Sequence, residues 1–218
     1  MKISYGLTAW IEHEELNNLL NYLKENINSK DEIVVVYDQN RATPEVLSVL
    51  ENFDRHNYSY HPFNFQQDWL ANKNYLGTKC SGDYIFQIDA DEIPHKNLID
   101  NLRLLIESNP VDVFVVPRIN LVKGLTQEHV NAWKWNINEQ GWVNFPDPQR
   151  RIYKNDPSIQ WKDPVDQPQV HGMVEGYKTF ANLPFSEEWS LYHNKTISKQ
   201  EYQNNLYSKV LSGKDRDD

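Results

Sequence analysis

The chain has 218 residues, enough for one well-buried core, and carries a net charge of −9 from 31 acidic and 22 basic residues. This acidic balance disfavours a general nucleic-acid or anionic-membrane surface, because such surfaces need a basic footprint. The longest apolar runs are too short to span a bilayer, no signal peptide is evident, and the single cysteine, Cys80, fits a reducing compartment, so we expect a cytoplasmic protein.

The first half of the chain alternates apolar strands with amphipathic helices. The pattern predicts strands at residues 3–10, 33–37, 57–65, 84–88 and 111–119. Helices are predicted at residues 12–26, from Thr43 and Pro44 onward, and at 68–80 and 97–107. This alternation is typical of an α/β fold with a mostly parallel central sheet flanked by helices.

The strand at residues 84–88 leads directly into three carboxylates, Asp89, Asp91 and Glu92. If the extended geometry persists, Asp89 and Asp91 point the same way and repel unless a cation or a hydroxyl network relieves them. Oxygen ligands on a short, rigid segment suit Mg²⁺ or Mn²⁺, which usually bind a substrate diphosphate through one or two carboxylates. The structural alternative is a solvated acidic turn after a strand.

Polar side chains also follow other predicted strands. Thr8 and Asp38 stand at two strand ends, as Asp89 and Asp91 do at a third. Ligands of α/β sheets bind beyond the carboxyl ends of the strands, so we expect these four residues to converge on one site.

Beyond residue 119 the pattern becomes irregular, with tryptophans spread among prolines and polar residues. A strand-like segment is visible at residues 150–153, and residues 198–211 have the spacing of a closing helix. Because no Gly/Ser-rich or Pro-rich linker divides the chain, we predict one domain with an irregular C-terminal half.

The order of these motifs resembles glycosyltransferase family 2, with the nucleotide-diphosphosugar-transferase fold called GT-A, and in particular its small bacterial and viral members. The resemblance covers nearly the whole length. It rests on the strand ends at Thr8 and Asp38 and on residues 72–77, 82–92, 145–155, 161, 170–172, 192–196 and 199–200. An acidic pair alone is a weak signal, whereas this ordered set is specific.

The resemblance implies a metal-dependent, inverting transferase that moves a sugar from a nucleoside-diphosphate donor, a UDP-sugar being favoured, to an acceptor hydroxyl of a glycan or another molecule. Residues 1–118 would bind the nucleotide sugar and residues 119–218 the acceptor, with Mn²⁺ or Mg²⁺ as the cofactor. The resemblance implies that Thr8 and Asp38 bind the nucleoside and that Lys73, assisted by Lys195, binds the diphosphate. It also implies that Asp89 contacts the ribose and the donor sugar. Asp91 and His193 would bind the metal.

One position departs from the family pattern. Many relatives have Val-His-Glu where this chain has Val170-His171-Gly172, and that glutamate or a nearby carboxylate is the candidate general base. The base of this chain is then His171, Glu175 or Asp166, since an acceptor hydroxyl needs such a group within hydrogen-bond reach.

Each of these residues also has a purely structural explanation. Asp38 is also suited to capping a turn, His193 to being a satisfied core histidine, and Lys73 to facing solvent. Arg150 and Arg151 are also suited to pairing with carboxylates at the edge of the core rather than with phosphate.

Two other functions stay open from the sequence. One is a haloacid-dehalogenase-type phosphatase with Asp89 as the nucleophile, disfavoured because Ile93 stands where that class has Thr or Val and because two strand–helix units precede the motif. The other is a catalytically inactive protein that binds sugars or nucleotides, for which Gly172 is the best support.

Overall fold

The structure is a computed structural model that describes residues 1–66, 68–163 and 172–211, with side chains described as far as residue 205. The strands are β1 (Ile3–Ala9), β2 (Glu32–Asp38), β3 (Tyr58–Phe63), β4 (Tyr84–Asp89), β5 (Glu92–Pro94), β6 (Val113–Val116), β7 (Arg118–Lys123), β8 (Gln149–Lys154), β9 (Gln160–Lys162), β10 (Met173–Glu175), β11 (Phe180–Asn182) and β12 (Leu191–Thr196). The helices are α1 (His13–Asn26), α2 (Pro44–Asn52), α3 (Trp69–Lys79), α4 (Lys96–Ser108), α5 (Gln127–Trp133) and α6 (Ile197–Leu211), with a 3₁₀ turn at Glu187–Trp189.

The central sheet has seven strands in the order β11-β6-β8-β4-β1-β2-β3. Strands β3, β2, β1 and β4 are parallel, β8 runs antiparallel to both β4 and β6, and β11 is parallel to β6. The predicted α/β fold with a mostly parallel sheet is therefore confirmed. The register places Thr8 of β1 opposite Asp89 of β4, so two of the predicted site residues are neighbours across the sheet.

Helices cover both faces of this sheet. On one face, α1 buries its leucine stripe in the main core together with the apolar residues of α4; the stripe comprises Leu16, Leu19, Leu20 and Leu23. On the other face, α3 packs Leu76 against Gly6 of β1, where an added Cβ atom would lie 3.1 Å from the leucine Cδ2. The glycine thus lets α3, and with it Lys73, approach the sheet closely.

The strand predicted at residues 111–119 is in fact two strands in different sheets. β6 ends at Val116 in the central sheet, and β7 begins at Arg118 in a second sheet of order β5-β12-β7. Pro117 stands between them, and because proline has no amide hydrogen it cannot continue a hydrogen-bonded ladder.

The second sheet brings the late histidine next to the acidic motif. In its register, His193 of β12 lies opposite Glu92 of β5 on one side and Asn120 of β7 on the other. The closing helix is confirmed as α6, whereas β5, α5 and β9 to β12 have no counterpart in the sequence predictions. In the part of the chain that the structure describes, no helix combines the length and apolarity needed to cross a membrane.

Candidate functional site

A cleft of about 460 Å³ lies where β1, β2 and β4 end. All of the residues predicted for the donor and the metal line it, namely Thr8, Asp38, Lys73, Asp89, Asp91, His193 and Lys195. Of the three candidates for the base, Glu175 does not line this cleft, and its carboxylate accepts a hydrogen bond from Arg150 at 2.6 Å. Asp166 and His171 lie outside the described residues.

The two aspartates of the acidic motif do not lie on one extended strand, although both line the cleft. β4 ends at Asp89, and Ala90 and Asp91 form a turn before β5 begins. Asp89 Oδ2 accepts a hydrogen bond from Arg151 Nη2 at 2.6 Å. Asp91 Oδ2 lies 3.1 Å from Lys199 Nζ. The expected repulsion is therefore relieved by a different cation for each carboxylate.

The third carboxylate, Glu92, is fully buried and holds the site together. Its Oε1 accepts hydrogen bonds from Arg151 Nη2 at 2.8 Å and from Arg118 Nη1 at 3.1 Å, and its Oε2 accepts one from the backbone N–H of Asp89 at 3.1 Å. Arg118 also pairs with Asp147 at 2.7 Å. Burial lowers the pKa of the Arg151 guanidinium, but Asp89 and Glu92 outweigh burial and raise it, so this side chain stays charged.

The structural alternative for Arg151, pairing with carboxylates, is what the structure shows, and Arg150 likewise pairs with Glu175. The sequence analysis missed Glu92, Arg118, Arg151 and Asp147 as parts of one network. The sequence signal that could have revealed this network is that these charged residues stand directly beside or inside apolar strands, because a buried charge requires a partner.

Lys73 is buried under the cleft and does not face solvent, so the structural alternative for this residue is wrong. Only 5% of it is exposed, and its ammonium nitrogen lies 3.7 Å from the centroid of the Trp161 ring. Burial lowers the pKa of Lys73 to about 7, because the low-dielectric surroundings disfavour the charged form.

The orientation of His193 follows from its neighbour Asn120. Asn120 Nδ2 donates to Asp147 Oδ2 at 2.7 Å and to the carbonyl of Val143 at 3.3 Å, so Asn120 Oδ1 faces His193. His193 Nδ1 lies 2.8 Å from that oxygen and therefore donates to it. The other ring nitrogen, Nε2, is then directed at Asp91 Oδ2, 3.3 Å away.

This arrangement fits a divalent cation shared with a substrate. An imidazole whose Nδ1 is held by an amide oxygen presents Nε2 as a ligand, and the Asp91 carboxylate is an oxygen ligand beside it. Burial raises the pKa of Asp91, but its neighbours His193 and Lys199 outweigh burial and lower it. No group of three or more His, Cys, Asp or Glu side chains is arranged around a metal position within the described ranges, so phosphate oxygens would complete the coordination.

One end of the cleft is formed at the end of β2. Asp38 is 6% exposed, and its Oδ1 accepts the backbone N–H of Asn40 at 3.0 Å, which is the turn-capping contact considered from the sequence. The Trp10 indole faces the Arg41 guanidinium at 5.3 Å and also lines the cleft. The turn thus fixes the Asp38 carboxylate, whose other oxygen, Oδ2, lies 3.8 Å from Arg41 Nε.

Gly172, the position that departs from the family pattern, has a packing explanation. Its φ is +57°, a conformation that favours glycine, and an added Cβ atom would lie 2.7 Å from the carbonyl oxygen of Lys162 and 2.2 Å from Leu70 Cδ2. A glutamate at this position would be strained and would clash with a backbone atom.

The sheet order and the cleft at the strand ends agree with the expected GT-A fold, and the comparisons with known proteins agree as well. The model of Glycosyl transferase family 2 matches residues 7–162, well over half of the chain, and the chain belongs to that family. A comparison with curated protein sequences gives no match.

Among solved structures, the chain is similar to TarS of S. aureus. The crystal structure of TarS 1-349 in complex with UDP has a TM-score of 0.61 at 16% identity, covering 94% of this chain and 63% of that one. For TarS 1-349 in complex with UDP-GlcNAc the TM-score is 0.59 at 16% identity, and the match covers 89% of this chain and 59% of that one. At this identity the likeness establishes the GT-A fold, and this chain spans less than two thirds of the length of the TarS chains.

We expect Glu92→Gln to lower the free energy of unfolding by about 3 kcal/mol, because it removes one charge from a buried network and leaves two guanidinium groups undercompensated. Urea denaturation measures this. Glu107→Gln, a charge removal at an exposed helix position, is the control. If Glu92→Gln lowers the free energy of unfolding by no more than the control does, the network does not have the stabilising role assigned to it.

Proposed function

We propose that this chain transfers a sugar from a nucleoside-diphosphate donor, a UDP-sugar in first place, to an acceptor hydroxyl, with a divalent cation and inversion at the anomeric carbon. The observation that carries the proposal is the meeting of Asp38, Asp89 and Asp91 with Lys73 and His193 in one cleft at the strand ends. Membership of family 2 supports the reaction class, and the complexes of TarS with UDP and UDP-GlcNAc support the donor class.

The proposed donor site divides by chemistry along the cleft. Asp38 and Thr8 bind the nucleoside, whose base and ribose donate hydrogen bonds. Asp89, held by Arg151 and by the backbone bond to Glu92, accepts hydroxyl groups of the ribose and the sugar. Lys73 and Lys195 face the diphosphate as cations.

Asp91 and His193 are the residues that would hold Mn²⁺ or Mg²⁺, which when bound neutralises charge on the departing nucleoside diphosphate. An oxygen and an imidazole nitrogen as ligands favour Mn²⁺ slightly over Mg²⁺. His193 is kept in the required orientation by the hydrogen bond from its Nδ1 to Asn120.

Direct displacement at the anomeric carbon requires a base for the proton of the acceptor hydroxyl. Glu175 is the weakest of the three candidates, because its carboxylate pairs with Arg150 and does not line the cleft. Asp166 and His171 remain the proposed candidates from the sequence.

The proposed acceptor is a glycan or another hydroxyl-bearing molecule, bound mainly by residues 119–218 of a single domain, and the net charge of −9 argues against nucleic acid. The cytoplasm remains the predicted location, on the basis of the single cysteine. Family membership favours the transferase over a phosphatase that uses Asp89 as its nucleophile.

A panel of nucleotide sugars with Mn²⁺ tests the proposal against its alternatives. Turnover of one donor, measured as nucleoside diphosphate released, is the expected result. Tight binding of a donor without turnover favours the inactive binding protein, and hydrolysis of simple phosphate esters favours the phosphatase.

We expect Asp91→Asn to abolish the part of UDP affinity that depends on Mn²⁺ while the fold remains intact, because the amide keeps the shape of the side chain and removes its charge. Calorimetric titration of UDP with and without Mn²⁺ measures the difference. Asp100→Asn on the exposed face of α4 serves as the matched control. A variant at position 91 that keeps the full effect of Mn²⁺ rules out the metal role.

We expect UDP binding near pH 8 to take up a proton through Lys73. The pKa of this buried amine is about 7 in the free protein, so it is mainly neutral at pH 8, and an adjacent diphosphate raises the pKa and favours the charged form. Titrations in buffers of different ionisation enthalpy measure the uptake. Lys73→Met should bind UDP more weakly and take up no proton. If this variant still takes up a proton on binding UDP, the proton goes to a group other than Lys73.

A further inference from the structure

Helix α6 carries a lysine that contacts an aspartate at the acidic end of the cleft. The helix begins at Ile197, directly after β12, so its first turn lies close to His193 and Asp91. Lys199 is on this first turn, and its side chain is 23% exposed. Tyr202 and Gln203 of the same helix line the cleft.

The Asp91 carboxylate oxygen that faces His193 is the same oxygen that Lys199 contacts. Nζ of Lys199 lies 3.1 Å from Asp91 Oδ2, and His193 Nε2 lies 3.3 Å from that atom. The Asp91 side chain is only 9% exposed, and a carboxylate so little hydrated needs a compensating charge close by. Lys199 supplies that charge in the donor-free protein.

A divalent cation bound between Asp91 and His193 would occupy the position next to this ammonium group. Two cationic centres on one carboxylate oxygen repel strongly in a site of low dielectric constant, so they do not share it. A second anion is available to the lysine: Glu12 Oε1 lies 3.9 Å from Lys199 Nζ. The Glu12 carboxylate is itself held by the backbone N–H groups of Trp10 and Ile11.

We propose that Lys199 is the internal counter-cation of Asp91 and sets the affinity of this site for a divalent cation, which displaces the lysine toward Glu12 or the donor diphosphate. This inference rests on the proposed metal role of Asp91. It assigns Lys199 a binding function, since the displaced ammonium group comes to lie beside the phosphates that the cation also contacts.

The same helix has a second contact with the donor site. Lys195 Nζ donates to Gln203 Oε1 at 2.7 Å, so α6 carries Lys199 and also contacts one of the two lysines that face the diphosphate region. When phosphate oxygens compete for both ammonium groups, the contacts that hold the first two turns of α6 against the cleft weaken together.

The test is titration of the full chain, free of nucleotide, with Mn²⁺ alone, followed by calorimetry. Lys199→Met should bind Mn²⁺ at least about fivefold more tightly than the wild type, the factor expected when one partly exposed competing ion pair is removed. Lys199→Arg keeps the competing charge and should stay within about twofold of the wild type.

Lys30→Met is the matched control, because it removes one positive charge at an exposed position outside the cleft and so reports the effect of net charge alone. The proposal is overturned if Lys199→Met binds Mn²⁺ no more tightly than the wild type. It is also overturned if Lys30→Met raises the affinity for Mn²⁺ as much as Lys199→Met does. Absence of Mn²⁺ binding in both wild type and Lys199→Met overturns the inference that Lys199 sets the affinity of the nucleotide-free site, whereas the metal role itself is tested by the UDP titration of Asp91→Asn. A rise in Mn²⁺ affinity in a protein that transfers no sugar supports this inference and counts against the proposed function alone.

Discussion

The buried charge of Glu92 is the constraint on which the site depends. A carboxylate with no exposed surface is tolerated only with cations in contact, and Arg151 and Arg118 provide them from β8 and β7. Glu92 itself opens β5, so a single ion network joins the central sheet to the three-stranded sheet. The relative position of the two sheets determines how Asp89 and His193 are placed along the cleft, and the cleft therefore depends on this network.

The network also explains why the two aspartates of the motif have different chemistry. Asp89 is paired with a guanidinium that is buried and permanently charged, so its carboxylate is held in place as a hydrogen-bond acceptor. Asp91, after the turn, contacts a lysine and an imidazole, both of which are able to move or to change partner. A fixed acceptor suits recognition of hydroxyl groups, and an exchangeable carboxylate suits a cation that arrives with its substrate.

The first four parallel strands and their helices were predictable because their signals are local. Continuous apolar runs, helical leucine spacing and capping residues lie within a few positions of one another, as Leu16 to Leu23 and Thr43-Pro44 illustrate. The strand ends at Thr8, Asp38 and Asp89 then follow from the geometry of a parallel sheet. Their convergence on one cleft is the part of the site that the pattern predicted.

The rest depends on pairing between distant segments, which has no local signal. The sheet of β5, β12 and β7 joins residues about a hundred positions apart, and so do the contacts of His193 and Lys199 with Asp91. The burial of Lys73 depends on Trp161, which comes from a strand far along the chain. A lysine on a helix with few buried neighbours gives no periodic sign of such an environment.

Gly172 shows how a departure from a family pattern changes meaning once its surroundings are known. From the sequence, a missing glutamate at this position supported loss of turnover. In the structure, the backbone there has a positive φ and lies against Lys162, so glycine meets a local steric requirement. The glycine thus has a packing explanation that is separate from catalysis. Because a carboxylate at residue 172 is sterically excluded, the base of an active enzyme must come from another position, and Glu175 is already engaged with Arg150.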